Sequence, residues 1–143
     1  MKAAKYLEIQ GRFAMQRGHL INPTIAFETW GTLNARADNA VLIFTGLSPS
    51  AHAASSPIDP SAGWWEDMIG HGKPLDTNCY FIICINSLGS CFGSTGPASD
   101  NPETQEPYRL DFPVLTVEDI ATSASHVLDH LGIDQLHTVV GAS

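Results

Sequence analysis

The sequence predicts an α/β fold: an open sheet with an antiparallel start, parallel strands after it, and a crossover helix between two of them. Three observations carry this expectation. Residues 40–44 and 80–85 are unbroken apolar runs, the pattern of strands buried on both faces of a parallel sheet. Residues 116–131 repeat apolar side chains at i, i+3, i+4 and i+7, which lays one packing stripe along a helix. Residues 136–140 form a further strand that leads into Gly141-Ala142-Ser143, so strand, helix and strand succeed one another as in a parallel crossover. Ligands in such a sheet bind beyond the carboxyl ends of the strands.

Taken in order, residues 5–15 and 19–30 read as an antiparallel pair about a turn near Arg17-Gly18. Pro23 marks an edge position there, because proline cannot donate to a ladder. Residues 31–39 are a polar turn, and Thr45-Gly46-Leu47 ends the strand that follows. Residues 48–79 hold only a short helical turn, expected at 64–69; a loop of that length in one domain is usually functional. Residues 86–97 are rich in Gly and Ser, with Leu88, Cys91 and Phe92 as expected anchors, and 98–113 read as a surface excursion. The helix opens on Thr116 with Asp119 three residues on, a capping-box variant. Val117, Ile120, Ala121, Ala124, Val127, Leu128 and Leu131 form its expected stripe, and Gly132 closes it.

The chain has 143 residues, enough for one domain with a real core. Only 15% of residues are charged, against about 25% on average. That deficit is expected where much of the surface is covered, by the rest of the same fold or by a partner. The net charge of −8 and the absence of a Lys/Arg cluster argue against nucleic acid and against anionic membranes. No run approaches the roughly 18 apolar residues of a spanning helix, and the N-terminus lacks a signal-peptide core, so a cytoplasmic address is expected. Three cysteines without C-x-x-C spacing fit neither a disulfide framework nor a zinc site.

Ser143 is the candidate nucleophile. Gly-x-Ser after an apolar strand is the entry to the G-x-S-x-G elbow, which presents a serine at the top of an α/β-hydrolase sheet; a serine in an ordinary turn is the competing reading. A serine hydroxyl needs a base and a group to orient that base, and in this fold both come later in the chain. Leu47 N–H, just past the end of the 40–44 strand, is the candidate oxyanion-hole donor, against a plain strand-to-loop turn. His126 and His130 are four apart on the helix, but no further ligand completes a metal set, so a solvated face is expected. His52 and His71 sit in loops and are the more interesting histidines, although a lone loop histidine is usually polar surface; Cys91 is read as a structural thiol, and one of Trp64 and Trp65 is expected to pack inward while the other lines a wall. No metal and no bound cofactor is expected.

Several motifs add a resemblance. Phe27-Glu28-Thr29-Trp30-Gly31-Thr32-Leu33-Asn34, Gly63-Trp64-Trp65-Glu66, Gly72-Lys73-Pro74-Leu75-Asp76-Thr77, Asn86-Ser87-Leu88-Gly89-Ser90-Cys91, Gly93-Ser94-Thr95-Gly96-Pro97-Ala98-Ser99 and Asp111-Phe112-Pro113 together resemble the homoserine O-acyltransferase family of the α/β-hydrolase superfamily. Thr45-Gly46-Leu47-Ser48-Pro49 with Ala51-His52-Ala53-Ala54 is most similar to its serine/homoserine O-succinyltransferase branch. The resemblance implies transfer of a succinyl or acetyl group from acyl-CoA, as co-substrate, to the hydroxyl of L-homoserine or L-serine through an acyl-serine intermediate. It puts Ser143 on the nucleophile and Leu47 on the oxyanion hole. The family continues into an elbow helix, a dimer-forming lid and strands carrying the catalytic Asp and His. Residues 1–143 are therefore expected to be the N-terminal part of a single α/β-hydrolase domain, partnered by the remainder of that domain, homodimeric when complete, and inactive alone. The loops 48–79 and 87–113 are the expected walls of the site. A serine esterase on the same fold and a non-catalytic, partner-binding half-domain are the alternatives.

Overall fold

Two kinks divide what the sequence reads as two long strands into four. They fall at Gly11 and at Asn22-Pro23, and they face each other: Gly11 N donates to Asn22 Oδ1 at 2.6 Å and Asn22 N to Gly11 O at 2.9 Å. The computed structural model describes residues 2–142. Its first strands are β1 (Lys5–Glu8), β2 (Arg12–Met15), β3 (Gly18–Ile21) and β4 (Thr24–Trp30). β2 and β3 form a hairpin turning at the expected Arg17-Gly18, while β1 pairs antiparallel with β4. Pro23 therefore sits in the break between β3 and β4 and not within an edge strand, which is the other place a residue without an N–H is tolerated.

The remaining elements are β5 (Ala40–Thr45), the two-residue strands β6 (Ile69–Gly70) and β7 (Leu75–Asp76), β8 (Phe81–Ile85), a 3-10 turn (Arg109–Asp111), α1 (Val117–His130) and β9 (Thr138–Ala142). The main sheet runs β1-β4-β8-β5-β9. β4 is antiparallel to β8, whereas β5 is parallel to both β8 and β9. The chain leaves β8, runs through α1 and steps across β5 to reach β9, which is the expected crossover. Successive side chains alternate between the faces. Leu42, Ile83 and Ile85 join Phe27, Ala124 and Val127 on one face, with Phe13 and Leu20 of the hairpin. Val41, Ile43, Ile82 and Cys84 lie on the other with Trp30, Ala53, Ala54 and Ile69. Both faces are covered, as the continuous apolar runs require.

The helix caps are those the sequence predicts. Thr116 Oγ1 accepts from Asp119 N at 3.2 Å, and the Asp119 carboxylate accepts from Thr116 N at 2.9 Å. A cap of this kind contributes about 1 kcal/mol. At the other end Ile133 N reaches Leu128 O and Gly132 N reaches Asp129 O, a Schellman arrangement with Gly132 at φ +72°, a conformation that penalises any Cβ. The stripe is rotated from the expected one. Asp119, Ser123, Ala124 and Val127 are buried, but Val117 is 80% exposed and Ala121 is also exposed. The cause is a tie the periodicity does not contain: Asp119 Oδ1 accepts from Gln16 N at the hairpin tip, 2.8 Å away, and this turns Asp119 inward. Ser123 is accommodated because its hydroxyl donates to Ile120 O at 2.7 Å. His126 is not on a purely solvated face, since its ring packs edge-on to Phe13 at 5.8 Å.

Candidate active site

The carboxyl ends of β5, β8 and β9 converge, and side-chain hydroxyls lock the first two together. Thr45 Oγ1 donates to Ile85 O at 3.2 Å, and Ser87 Oγ donates to Thr45 O at 2.9 Å. Beyond β8 the Gly/Ser-rich segment folds back through Asn86. The Asn86 side-chain oxygen accepts from Ser90 Oγ at 2.7 Å and Ser94 N at 3.1 Å, and Ser94 Oγ donates to Asn86 O at 2.7 Å. All three residues are buried, so the network is worth making only because its polar groups are satisfied. Gly96 permits the return: a Cβ there would lie 2.2 Å from Ser90 O. Leu88 is the buried anchor of this segment, while Cys91 and Phe92 are exposed. Polar closure does the work that Cys91 and Phe92 were expected to share.

A pocket of about 390 Å³ opens at these strand ends, lined by Phe44, Thr45, Gly46, Leu47, Ser87, Val117, Ile120, Ala121 and Gly141. The Val117, Ile120 and Ala121 face of α1, turned away from the core, forms one wall. Leu47 is 61% exposed, and its backbone N–H donates to no acceptor among the described residues. Ser143, the candidate nucleophile, lies outside the described residues; Gly141, two positions before it, lines the pocket.

The 48–79 segment contributes no lining residue; it covers the opposite sheet face. Trp64 and Trp65 do not divide between core and wall. Their rings stack at 5.5 Å and 13°, and both pack against the core on that face. The Glu66 carboxylate holds this segment in place by accepting from Gly63 N, Ser55 N and Ser55 Oγ. These bonds keep its pKa at about 2, with the Gly63 bond the largest cause. His71 bonds Asn78 on an exposed turn, His130 is exposed, and no histidine lines the pocket among the described residues. No group of three or more His, Cys, Asp or Glu there could hold a metal ion, and no helix is long and apolar enough to cross a membrane.

His52, noted in the sequence as a loop histidine, has on the same face a partner that the sequence does not point to. Glu28, at the centre of β4, is 1% exposed; its Oε2 is 3.0 Å from His52 Nδ1. The other ring nitrogen is 2.9 Å from Ser61 O, which can only accept. Both nitrogens therefore face acceptors, the arrangement of an imidazolium. Burial by itself would lower the His52 pKa, but the bonds to Glu28 and Ser61 and the charges of Glu28 and Asp59 outweigh it and raise the value. A glutamate within Phe27-Glu28-Thr29-Trp30, a run otherwise suited to a buried strand, was the only available signal.

No protein-family model matches the chain. It is 63% identical over 142 residues to a serine O-succinyltransferase of Litchfieldella anticariensis, covering 99% of this chain and 39% of that protein. It is 60% identical to an L-serine/homoserine O-acetyltransferase of Streptomyces lavendulae, over 99% of this chain and 38% of that protein. Among solved structures, esterase E22 superposes with a TM-score of 0.89 at 36% identity, over 98% of this chain and 40% of that one. Homoserine O-acetyltransferase from Bacillus anthracis gives 0.88 at 36% identity, over 100% and 41%. The chain thus spans about two fifths of the length of the relatives it matches.

Proposed function

We propose that this chain, which over nearly its whole length is similar to serine O-succinyltransferases and a serine/homoserine O-acetyltransferase, belongs to the homoserine O-acyltransferase family and carries the nucleophile and one oxyanion donor of an acyl-CoA-dependent O-acyltransferase acting on L-serine or L-homoserine. The observation that carries the reading is the pocket at the strand ends, which Leu47 and Gly141 both line, with Ser143 two residues after Gly141 in the chain. Ser143 Oγ attacks the thioester carbonyl, and Leu47 N–H stabilises the tetrahedral oxyanion. The carbon–sulfur bond then breaks, CoA leaves as the thiol with the serine proton, and Ser143 keeps the acyl group as an ester. The amino-acid hydroxyl next attacks that ester, returning its own proton to Ser143 and taking the acyl group. The proton shuttle for both steps comes from outside the described pocket lining, so the 143 residues alone are expected to show no turnover. The mostly apolar wall of α1 suits a reaction that must exclude water.

Superposition on an esterase supports a second reading, in which water takes the acyl group. One experiment separates the two. The corresponding N-terminal two fifths of the Litchfieldella anticariensis enzyme is replaced by this chain, and the hybrid is given succinyl-CoA and L-serine. O-succinylserine, lost on Ser143→Ala, is the expected product; free succinate alone would support the esterase. A rate unchanged by Ser143→Ala would remove both and leave a non-catalytic half-domain.

A further inference from the structure

Glu28 and His52 line no part of the pocket and enter neither step above, yet the fold maintains them at a cost. Glu28 Oε1 is buried with no hydrogen-bond partner, and an apolar residue of the same volume would avoid that penalty. What the pair touches suggests its use. β5 ends at Thr45, Gly46 and Leu47 border the pocket, and five residues after Leu47 the chain is caught at His52 by a strand two places away in the sheet. Between these ends, Asn86 Nδ2 donates to Pro49 O at 3.2 Å and Trp64 Nε1 donates to Ser50 O at 2.9 Å. The 46–52 segment is thus fixed to β5 at one end and to Glu28 at the other.

We propose that the Glu28–His52 ion pair is a positioning element for the oxyanion donor, holding the 46–52 segment so that Leu47 N–H faces the strand ends. The inference rests on the acyltransferase reading only for what Leu47 does; the clamp itself stands on the geometry. The charged and titratable groups facing the pair are Glu28 from β4, Asp59 through Ser61, and Cys84 of β8, which is opposite Glu28 in register. Burial pushes the Cys84 thiol up, so it stays neutral. With its pKa raised by folding, His52 contributes in full below the ordinary 6.5 of free imidazole. The contribution is lost as pH rises through the higher folded value. Deprotonation leaves the Glu28 charge buried without a cation, and the segment loosens.

The test is a pH titration of the 143-residue protein by nuclear magnetic resonance, from about pH 5 to about pH 9. Expected are a His52 ring midpoint above 6.5 and Gly46 and Leu47 amide signals that move with the same midpoint. In Glu28→Gln the midpoint falls below that of the wild type and the Leu47 amide no longer follows it. A wild-type His52 that titrates below 6.5, or a Leu47 amide indifferent to it, overturns the proposal, and neither result requires the variant to fold. In the hybrid enzyme, Glu28→Gln should lower kcat roughly tenfold or more while KM for acyl-CoA holds, with partial rescue by Glu28→Asp. A kcat within about twofold of the parent hybrid also overturns it. A parent hybrid without transferase activity removes the acyltransferase reading and leaves the amide titration to decide the clamp.

Discussion

Replacing Asp119 by Asn tests whether one carboxylate fixes both the start of α1 and the placement of the hairpin beneath it. The side chain accepts from Gln16 N at 2.8 Å, Thr116 N at 2.9 Å and Thr116 Oγ1 at 2.8 Å. Burial works to raise its pKa, but the Gln16 and Thr116 bonds outweigh it and hold the carboxyl below its ordinary value. Asn keeps one acceptor oxygen and turns an NH₂ toward one of the two backbone donors. One charge-assisted bond is lost, at about 1.5–3 kcal/mol, and the anion at the helix N-terminus is lost, at about 0.3–1 kcal/mol. The expected loss is therefore about 2–4 kcal/mol at neutral pH. Urea unfolding measures it directly, and at roughly 2–4 °C per kcal/mol it lowers Tm by about 4–16 °C. The folded carboxyl is depressed, so its contribution is present above the unfolded value near 4 and disappears as pH falls through the folded one; wild type and Asn should converge in acid. A neutral-pH loss below about 0.5 kcal/mol would refute the assignment, since that is the scale of an ordinary surface change.

The three thiols should divide by burial. Cys79 and Cys91 are exposed and Cys84 is buried, so a thiol reagent at about pH 8 should titrate two equivalents in the native protein and the third only on unfolding; a native-state third equivalent at the same rate would contradict the packing of Cys84. Donor choice should follow the host in hybrids with the succinyltransferase and the acetyltransferase relatives, because among the described residues the pocket lining offers no Lys or Arg to a succinyl carboxylate. A switch of donor preference by more than about tenfold on introducing this chain, the size of one charged hydrogen bond, would show that these residues read the acyl group.

Patterns with a local cause were legible in the sequence. Continuous apolar runs gave β5 and β8, because a strand covered on both faces has no polar side to display. Thr116, Asp119 and Gly132 gave both ends of α1, because capping chemistry acts within one turn. The rest depended on contacts across the chain. The rotation of α1 follows from Asp119 meeting Gln16, 103 residues away, and no periodicity encodes that. The role of Glu28 was illegible for the same reason: its partner His52 comes from a loop that must first cross the sheet. Loops 48–79 and 87–113 are the expected walls of a site that must exclude water. The first instead covers an apolar sheet face that would otherwise meet water, and only Ser87 of the second reaches the lining.

The lining of the pocket is compatible with the range of names among its relatives. A succinyltransferase, an acetyltransferase and an esterase all resemble this chain, and on the proposed reading what this chain brings to any such reaction is attack of Ser143 on an acyl carbonyl. The relatives' names differ in the acyl group and in whether it is transferred or hydrolysed. The lining here is apolar apart from Thr45 and Ser87, whose hydroxyls donate inward to backbone carbonyls. On the proposed reading such a surface would hold a carbonyl by shape and by the Leu47 amide, but among the described residues it offers no charged group with which to select a carboxylate or an amino acid. Specificity of that kind needs buried polar groups matched to the substrate, whose mismatch costs several kcal/mol. On that reading these residues would serve the reacting centre, and the choice of acyl group and acceptor would fall to whatever closes the pocket from the side facing away from β5.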